Sequence, residues 1–383
     1  MRVVFLRANA INPDPRVEKE MNALSSAGIE CLCVGWDRSS GVDSDDSICI
    51  PDGKRVDLHL IGVPSSFGSG IKNTPNVLKF EHKLYAWLVA NIEKYDVVHA
   101  CDLDTGLAAA AACKRTGKPL VYDIFDFYSD SRIMPKWIKA FVRRLEFSVI
   151  NQSHATIVCT EQRTGQIAGS RPRQVVVIEN TPEPVHILKN RIADPGAIRL
   201  AYVGILTADR YLDRLLDTVD YYEDLILEIG GFGPLEDEVA KRAEHNPRIM
   251  FHGKVPYSEA LRIENEADVM FGLYRPEIAN HKMAAPNKYY ESLMLGTPLI
   301  AIEGTSVAYW VEEGRTGAVL RPSFSCEDLH DAIERILSEN RDRSISLRQK
   351  ELYQNKHSWH LMAERLCALY STIGAECDGG ARR

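Results

Sequence analysis

Short runs of consecutive apolar residues alternate along this chain with longer stretches whose apolar residues recur every three to four positions. The first pattern reads as buried β-strand, the second as amphipathic helix. In the first half the strand-like runs fall at 3–6, 30–35, 58–63, 97–100, 120–124, 155–159 and 175–178. Helical periodicity fills most of the gaps, most clearly over 16–27 and 77–94. The runs are Val/Ile/Leu-rich without polar alternation, as in parallel strands covered on both faces. They predict a doubly wound α/β domain over 1–180. The polar stretch Asp43-Ser44-Asp45-Asp46-Ser47 reads as a solvated loop.

Two proline-containing segments then break the pattern, Glu179-Asn180-Thr181-Pro182-Glu183-Pro184 and Asp194-Pro195-Gly196. A second series of apolar runs follows at 200–203, 225–229, 249–251, 269–273, 299–302 and 318–320. It predicts a second α/β domain over 181–357. The expected architecture is two Rossmann-like doubly wound domains facing across a cleft, with small ligands at the carboxyl ends of the strands. Beyond about residue 325 the pattern is helical. A last helix near 358–373 carries Trp359, Met362, Leu366, Leu369, Tyr370 and Ile373 at helical spacing and is expected to pack back on the N-terminal domain. The tail from Asp378 to Arg383 is expected to be disordered.

A length of 383 residues agrees with two domains. The net charge of -7 argues against a protein built around a nucleic-acid backbone. No apolar run is long enough to span a bilayer, and the first residues lack the pattern of a signal peptide. Nine cysteines, with no C-x-x-C pair, read as reduced and mostly buried thiols, which points to the cytoplasm. No cluster of Cys or His suggests a metal site, and none is expected.

The most informative stretch is Ala285-Pro286-Asn287-Lys288-Tyr289-Tyr290-Glu291, which leads through Gly296 into the run 299–302. Pro286 suits the first helical position, where no N–H is needed. Asn287, Lys288 and Glu291 then share one helical face. A cation and an amide at the positive end of a helix, with a carboxylate one turn in, can hold the phosphates and ribose of a nucleotide. The same spacing also describes a capped surface helix with a local Lys–Glu pair.

Taken in order, several segments resemble the GT-B glycosyltransferases of family 4. Asn12-Pro13-Asp14-Pro15-Arg16-Val17-Glu18-Lys19-Glu20 resembles the loop-to-helix opening of one branch of that family. Val97 to Thr105 and Leu120-Val121-Tyr122-Asp123 resemble its next two strand segments. Tyr202-Val203-Gly204 with Arg210 resembles the donor-phosphate loop, and Gly230-Gly231-Phe232-Gly233-Pro234 the Gly-x-Gly-Pro turn. The Pro-Asn-Lys-x-x-Glu helix resembles the second half of the Glu-x7-Glu motif. The resemblance implies transfer of a sugar, with retention, from a nucleotide-sugar donor to an acceptor hydroxyl, without a metal or other cofactor. UDP- or GDP-sugars are the donors expected. The acceptor is expected to be a glycan or lipid-linked molecule in polysaccharide, glycolipid or other glycan assembly.

On that resemblance Gly204, Arg210, Gly231, Gly233, Asn287, Lys288 and Glu291 are the expected donor-binding residues. Arg210 and Lys288 would take up the charge of the leaving diphosphate, and Glu291 would accept from the ribose. His99 and Asp102 are the catalytic candidates, at the carboxyl end of a strand. His99 would bond the donor sugar or assist with the acceptor proton, unless it is a satisfied core histidine. Asp102 would orient the acceptor or His99. Asp104 reads as a helix N-cap. Asp14 and Arg16 are placed at the acceptor side, with a capping role equally open for Asp14.

Four positions depart from the family pattern. Met283 stands where its first Glu would be, with His281, Lys282 or Asn287 as possible replacements. Ile205 stands where many relatives carry Arg, Cys101 replaces a second His, and Phe125-Asp126 replaces His-Glu. The same two-domain fold leaves a nucleotide-sugar 2-epimerase as an alternative, and Met283 and Ile205 leave a catalytically degenerate sugar-nucleotide-binding homologue as another. The segment 132–150 is basic and amphipathic, with Trp137, Ile138, Phe141, Leu145 and Val149 on one face. It fits a helix packed on its sheet and, equally, a peripheral contact with an anionic membrane.

Overall fold

Runs such as Val97–Cys101 and Leu120–Ile124 are buried at every residue, which only a strand covered on both faces can be. In the computed structural model, which describes residues 1–65, 73–132, 134–185, 187 and 196–380, these strands belong to the first of two compact units. That unit holds Met1–Glu179 and the last helix from His360, and the second is Asn180–Trp359. Of the break at 194–196, Asp194 and Pro195 lie outside the described residues.

The first unit carries β1 (Arg2–Leu6), β2 (Glu30–Asp37), β3 (Ser44–Cys49), β4 (Arg55–Gly62), β5 (Val97–Cys101), β6 (Leu120–Ile124), β7 (Ala155–Val158) and β8 (Val175–Val177). Their order in the sheet is β3-β4-β2-β1-β5-β6-β7-β8. All pairs are parallel except β3 with β4. β3 corrects the expectation of a loop at 43–47. Its polar residues suit an edge strand, where only Ile48 turns inward and charge discourages further pairing. Direction reverses between β1 and β5, which makes the gap beyond their carboxyl ends a switch point.

The helix Trp359–Gly380 packs on this unit through Met362, Leu366, Leu369, Tyr370 and Ile373. It runs further than expected: Asp378 to Gly380 continue the helix, and 381–383 lie outside the described residues.

The second unit carries β9 (Ile198–Ile205), β10 (Leu225–Phe232), β11 (Ile249–Phe251), β12 (Val269–Gly272), β13 (Leu299–Ile302) and β14 (Gly317–Leu320). All are parallel, in the order β11-β10-β9-β12-β13-β14. Counted from β9 this is the 3-2-1-4-5-6 order of a Rossmann sheet, with its switch point between β9 and β12. Leu200, Leu227, Ile229, Phe271 and Ile300 fill its core. Among the described residues, no helix is long and apolar enough to cross a membrane.

Candidate active site

The switch point of the second unit gathers most of the donor-binding candidates. β9 ends at Gly204 and Ile205, and the turn Ala208–Arg210 follows. Gly231 and Gly233 make this end of the sheet possible. A Cβ on Gly231 would lie 1.8 Å from the Gly204 carbonyl oxygen, and one on Gly233 would lie 2.6 Å from that of Leu206. Both adopt positive φ, near 146° and 148°, which side chains avoid. Their place is therefore behind the Gly204–Leu206 loop, where they set its position.

Lys288 crosses over Gly204, its Cε 3.4 Å from where a Cβ would stand. Its ammonium group donates to Glu264 Oε1 at 2.9 Å and lies 5.4 Å from the Tyr202 ring. Its ion-pair partner lies on another helix, Tyr257–Glu266, rather than forming the capped surface pair that the spacing also allowed. Burial opposes the Lys288 charge, but Glu264 and Glu291 outweigh it and raise its pKa. Glu291 is only 5% exposed, and it raises the Tyr257 phenol together with burial. The helix begins at Asn287, one residue later than expected, with Pro286 as N-cap. Asn287 is exposed, and its side-chain oxygen accepts from Asn180 at 3.0 Å.

Arg210 approaches the same place from the β9 side. Its Nη1 donates to Asp209 Oδ2 at 2.7 Å and to His281 Nε2 at 2.9 Å, and the guanidinium lies 4.4 Å over the Tyr274 ring. His281 Nδ1 faces the Arg275 carbonyl at 3.1 Å, which only accepts, so the proton sits on Nδ1 and Nε2 receives Arg210, with Asp209 Oδ2 3.2 Å away. Burial first, then Arg210, lowers the His281 pKa, so the ring is neutral. Burial raises the phenols of Tyr202 and Tyr274, and Lys288 and Arg210 both pull against it. Two cations from different elements therefore converge beyond β9 and β12. Among the replacements considered for the missing Glu, His281 joins this cluster. Lys282 is exposed, and Asn287 is turned to Asn180. Ile205 is exposed at the carboxyl end of β9.

At the switch point of the first unit, Arg7 follows β1 and Asp102 follows β5. Arg7 Nε donates to Asp14 at 2.8 Å, and its Nη1 donates to Asp102. Asp102 also accepts from the backbone of Phe125 at 2.9 Å and of Asp126 at 3.2 Å. It holds φ of 62°, a costly conformation for a residue with a Cβ, stabilised by these contacts. Burial pushes its carboxyl up to about 6, against the pull of Arg7. Asp14 is the N-cap of the helix Pro15–Ser26 and also accepts from Asn9 at 2.9 Å. Asp104 is not a cap. It lies in the first turn of the helix Leu103–Thr116 and pairs with Arg132 at 3.0 Å.

Two candidates prove to be core residues. Arg16 donates to both Asp123 oxygens at 2.9 and 3.0 Å, to Cys159 at 3.1 Å, and lies 3.1 Å from Glu20. It is buried, so it does not line an open acceptor site. His99 is fully buried between Phe5 and Tyr370, with Nδ1 2.7 Å from the Tyr370 hydroxyl and Nε2 3.5 Å from both Glu20 and Asp123. A ring so enclosed cannot touch a sugar, and the core-histidine reading is the one the geometry supports. Burial raises the Asp123 pKa, but Arg16 and His99 outweigh it and keep the carboxylate ionised. Burial, then the Asp123 charge, pushes Glu20 well up, so Glu20 carries a proton. Folding also brings His99, Cys101 and Asp123 within 4.8 Å of one another, a grouping invisible in the sequence. Arg16 already supplies the counter-charge there. Phe125 stacks beneath both guanidinium groups, 4.1 Å from Arg7 and 4.3 Å from Arg16.

Arg7, Glu264, Tyr257 and Tyr274 escaped the sequence reading. Arg7 and Tyr274 each stand within two residues of a strand that borders a switch point, and that signal was available. Glu264 had none, because its pairing with Lys288 spans 24 positions.

Two successive Rossmann-type units, the second with paired cations at its switch point, define the GT-B class. Residues 18–181 match the model of "Glycosyltransferase Family 4", and residues 197–339 that of "Glycosyl transferases group 1". The chain belongs to the family 4 group of GT-B glycosyltransferases. No curated protein matches it by sequence. Among solved structures it is similar to a sucrose-phosphate synthase from Thermosynechococcus elongatus, with TM-score 0.74, 16% identity, and coverage of 98% of this chain and 100% of that one. It is similar to HepE from Anabaena in complex with UDP, with TM-score 0.68, 14% identity and coverage of 97% and 100%. A putative UDP-N-acetylglucosamine 2-epimerase from Listeria monocytogenes shares the fold at TM-score 0.63, 15% identity and coverage of 98% and 97%.

Proposed function

We propose that this protein transfers a sugar, with retention, from a UDP- or GDP-sugar to the hydroxyl of a glycan or lipid-linked acceptor. The observation that carries the reading is the convergence of Lys288 and Arg210 at the β9–β12 switch point, next to Gly204. As the bond from the anomeric carbon to the diphosphate breaks, negative charge grows on the phosphate oxygens. Arg210 offers a fork of donors to those oxygens and Lys288 a point charge, both preorganised by protein partners. Glu264 and His281 hold the two cations in place, which lets the site work without a metal. Asn287, at the first turn of its helix, faces the same anion through the helix dipole. Glu291 accepts from the ribose once the nucleotide displaces its present contacts. In the first unit, Asp102 and Arg7 are the polar pair suited to an acceptor hydroxyl.

Replacing Arg210 or Lys288 by Ala tests the proposal. Each should raise the donor dissociation constant about 10- to 100-fold, the value of one charge-assisted contact, with the fold intact. Unchanged donor binding and turnover in both variants would sink the phosphate assignment. Met283 and Ile205 favour one second reading, a binding homologue that does not turn over. Tight nucleotide binding without release of UDP or GDP on any donor and acceptor would establish that reading. Conversion of UDP-GlcNAc to UDP-ManNAc without an acceptor would establish the epimerase instead.

A further inference from the structure

At the amino end of β10, folding brings together three side chains that the nucleotide site does not use. Asp224 stands in the turn between the helix Leu212–Tyr221 and β10, where its carbonyl accepts from Ile198 N at 2.8 Å. His330 and Glu334 sit one turn apart on the helix Cys326–Glu339 and so share a face. One ligand atom from each of the three lies within 4.8 Å of the other two. The sequence hides this grouping, because 106 positions separate Asp224 from His330.

The imidazole of His330 is held in place by its own surroundings. It stacks on the Tyr222 ring, with centroids 3.8 Å apart and planes 11° apart. Its Nε2 lies 3.3 Å from Asp224 Oδ2. A charge-assisted hydrogen bond would close to about 2.7–2.9 Å. Nitrogen and oxygen ligands about 2.0–2.1 Å from a tetrahedral zinc ion are instead about 3.3 Å from each other. The surroundings are acidic. Burial first, then Glu327, raises the Tyr222 phenol, with Asp331 adding to it. Arg248, just before β11, is turned to the carbonyls of Asp220, Tyr222 and Leu225. Among the described residues, neither Asp224 nor Glu334 pairs with a Lys or Arg. A half-buried imidazole between two carboxylates that lack a counter-cation is a set of metal ligands in both chemistry and spacing.

We propose that Asp224, His330 and Glu334 bind a divalent transition-metal ion, with zinc preferred. Imidazole nitrogen together with carboxylate oxygen suits zinc and its neighbours, whereas magnesium and calcium take all-oxygen sets. Three protein ligands leave a fourth position for water. The ion clasps the turn before β10 to the helix Cys326–Glu339 and gives the two carboxylates a shared counter-charge. The Gly231–Gly233 segment that backs the nucleotide loop lies at the other end of the same strand. The ion therefore takes no part in sugar transfer, and the proposal does not depend on that reading.

Calorimetric titration of the chelator-treated full chain with zinc chloride tests it. The parent should bind a zinc ion whose affinity His330→Gln and Glu334→Gln each weaken by about tenfold or more, and magnesium should not replace it. Cys49 and Cys377 are exposed thiols that can also take zinc, and both variants leave them untouched. Glu334 is exposed, so Glu334→Gln should unfold with the metal-free parent and show that the fold is intact, even where His330→Gln loses its stack on Tyr222. Zinc should raise the thermal transition of the parent more than that of Glu334→Gln. Anomalous scattering from zinc-soaked crystals should place the ion among the three side chains. Absence of zinc binding by the parent, or equal binding by the parent and both variants, would overturn the proposal. So would an ion found only at the thiols, or magnesium binding as tight as that of zinc.

Discussion

At the scale of single residues, the first unit handles buried charge in two different ways. Arg16 and Asp123 form a fully enclosed ion pair with a protonated Glu20 beside it. Replacing Arg16 by Met strands the Asp123 charge in the core and should cost about 3–5 kcal/mol in chemical denaturation. Asp102 is poised between core and solvent, with its carboxyl pushed up to about 6 by burial. A carboxyl whose folded pKa lies above its unfolded value stabilises the protein below the unfolded value and loses that contribution as pH rises through the folded one. The stability of the parent relative to Asp102→Asn should therefore fall between about pH 4 and pH 7, by at most about 3 kcal/mol. Denaturation curves of both proteins across that range check it, and a flat difference would refute the raised pKa. His99 and Arg16 were visible as residues of interest, yet their burial was not. Strand position indicates which end of a sheet a residue occupies, and only the packed last helix encloses His99.

At the scale of elements, strand ends and turns decide where the cations point. Gly231 and Gly233 let β10 run against the Gly204–Leu206 loop at distances no side chain allows. Gly231→Ala forces a Cβ into the Gly204 carbonyl and should destabilise the second unit by about 3 kcal/mol or more, with loss of nucleotide binding. A variant that retains both stability and binding would show that the loop can shift to accommodate it. Element types and order were legible because continuous Val/Ile/Leu runs and helical periodicity are local signals. β3 was not, since an edge strand of Asp and Ser carries the same local pattern as a loop. The first turn of the helix Asn287–Leu295 was read one residue early, because Pro is equally at ease at either position.

At the scale of the whole molecule, the second unit is a Rossmann sheet with its ligand position set by topology. A nucleotide that binds its folded form should stabilise the protein by about 2.7 kcal/mol at 100 times its dissociation constant. In a thermal-shift series of UDP-, GDP-, dTDP- and ADP-sugars, the preferred donor should therefore raise the transition by several degrees, and the Arg210→Ala and Lys288→Ala variants should lose that rise. No shift with any of them would remove the nucleotide from the site. By itself the sequence determined the two α/β units, the order of their strands and helices, and the motifs that mark Gly204, Arg210 and Lys288 as a group. These rest on local pattern and on spacing along the chain. Only the tertiary structure decided which charges are paired and which are presented. Glu264 reaches Lys288, Arg7 joins Asp14 to Asp102, and His99 is sealed under Tyr370, all through contacts between residues distant in sequence. Burial and pairing belong to the packed chain, and no local spacing encodes them.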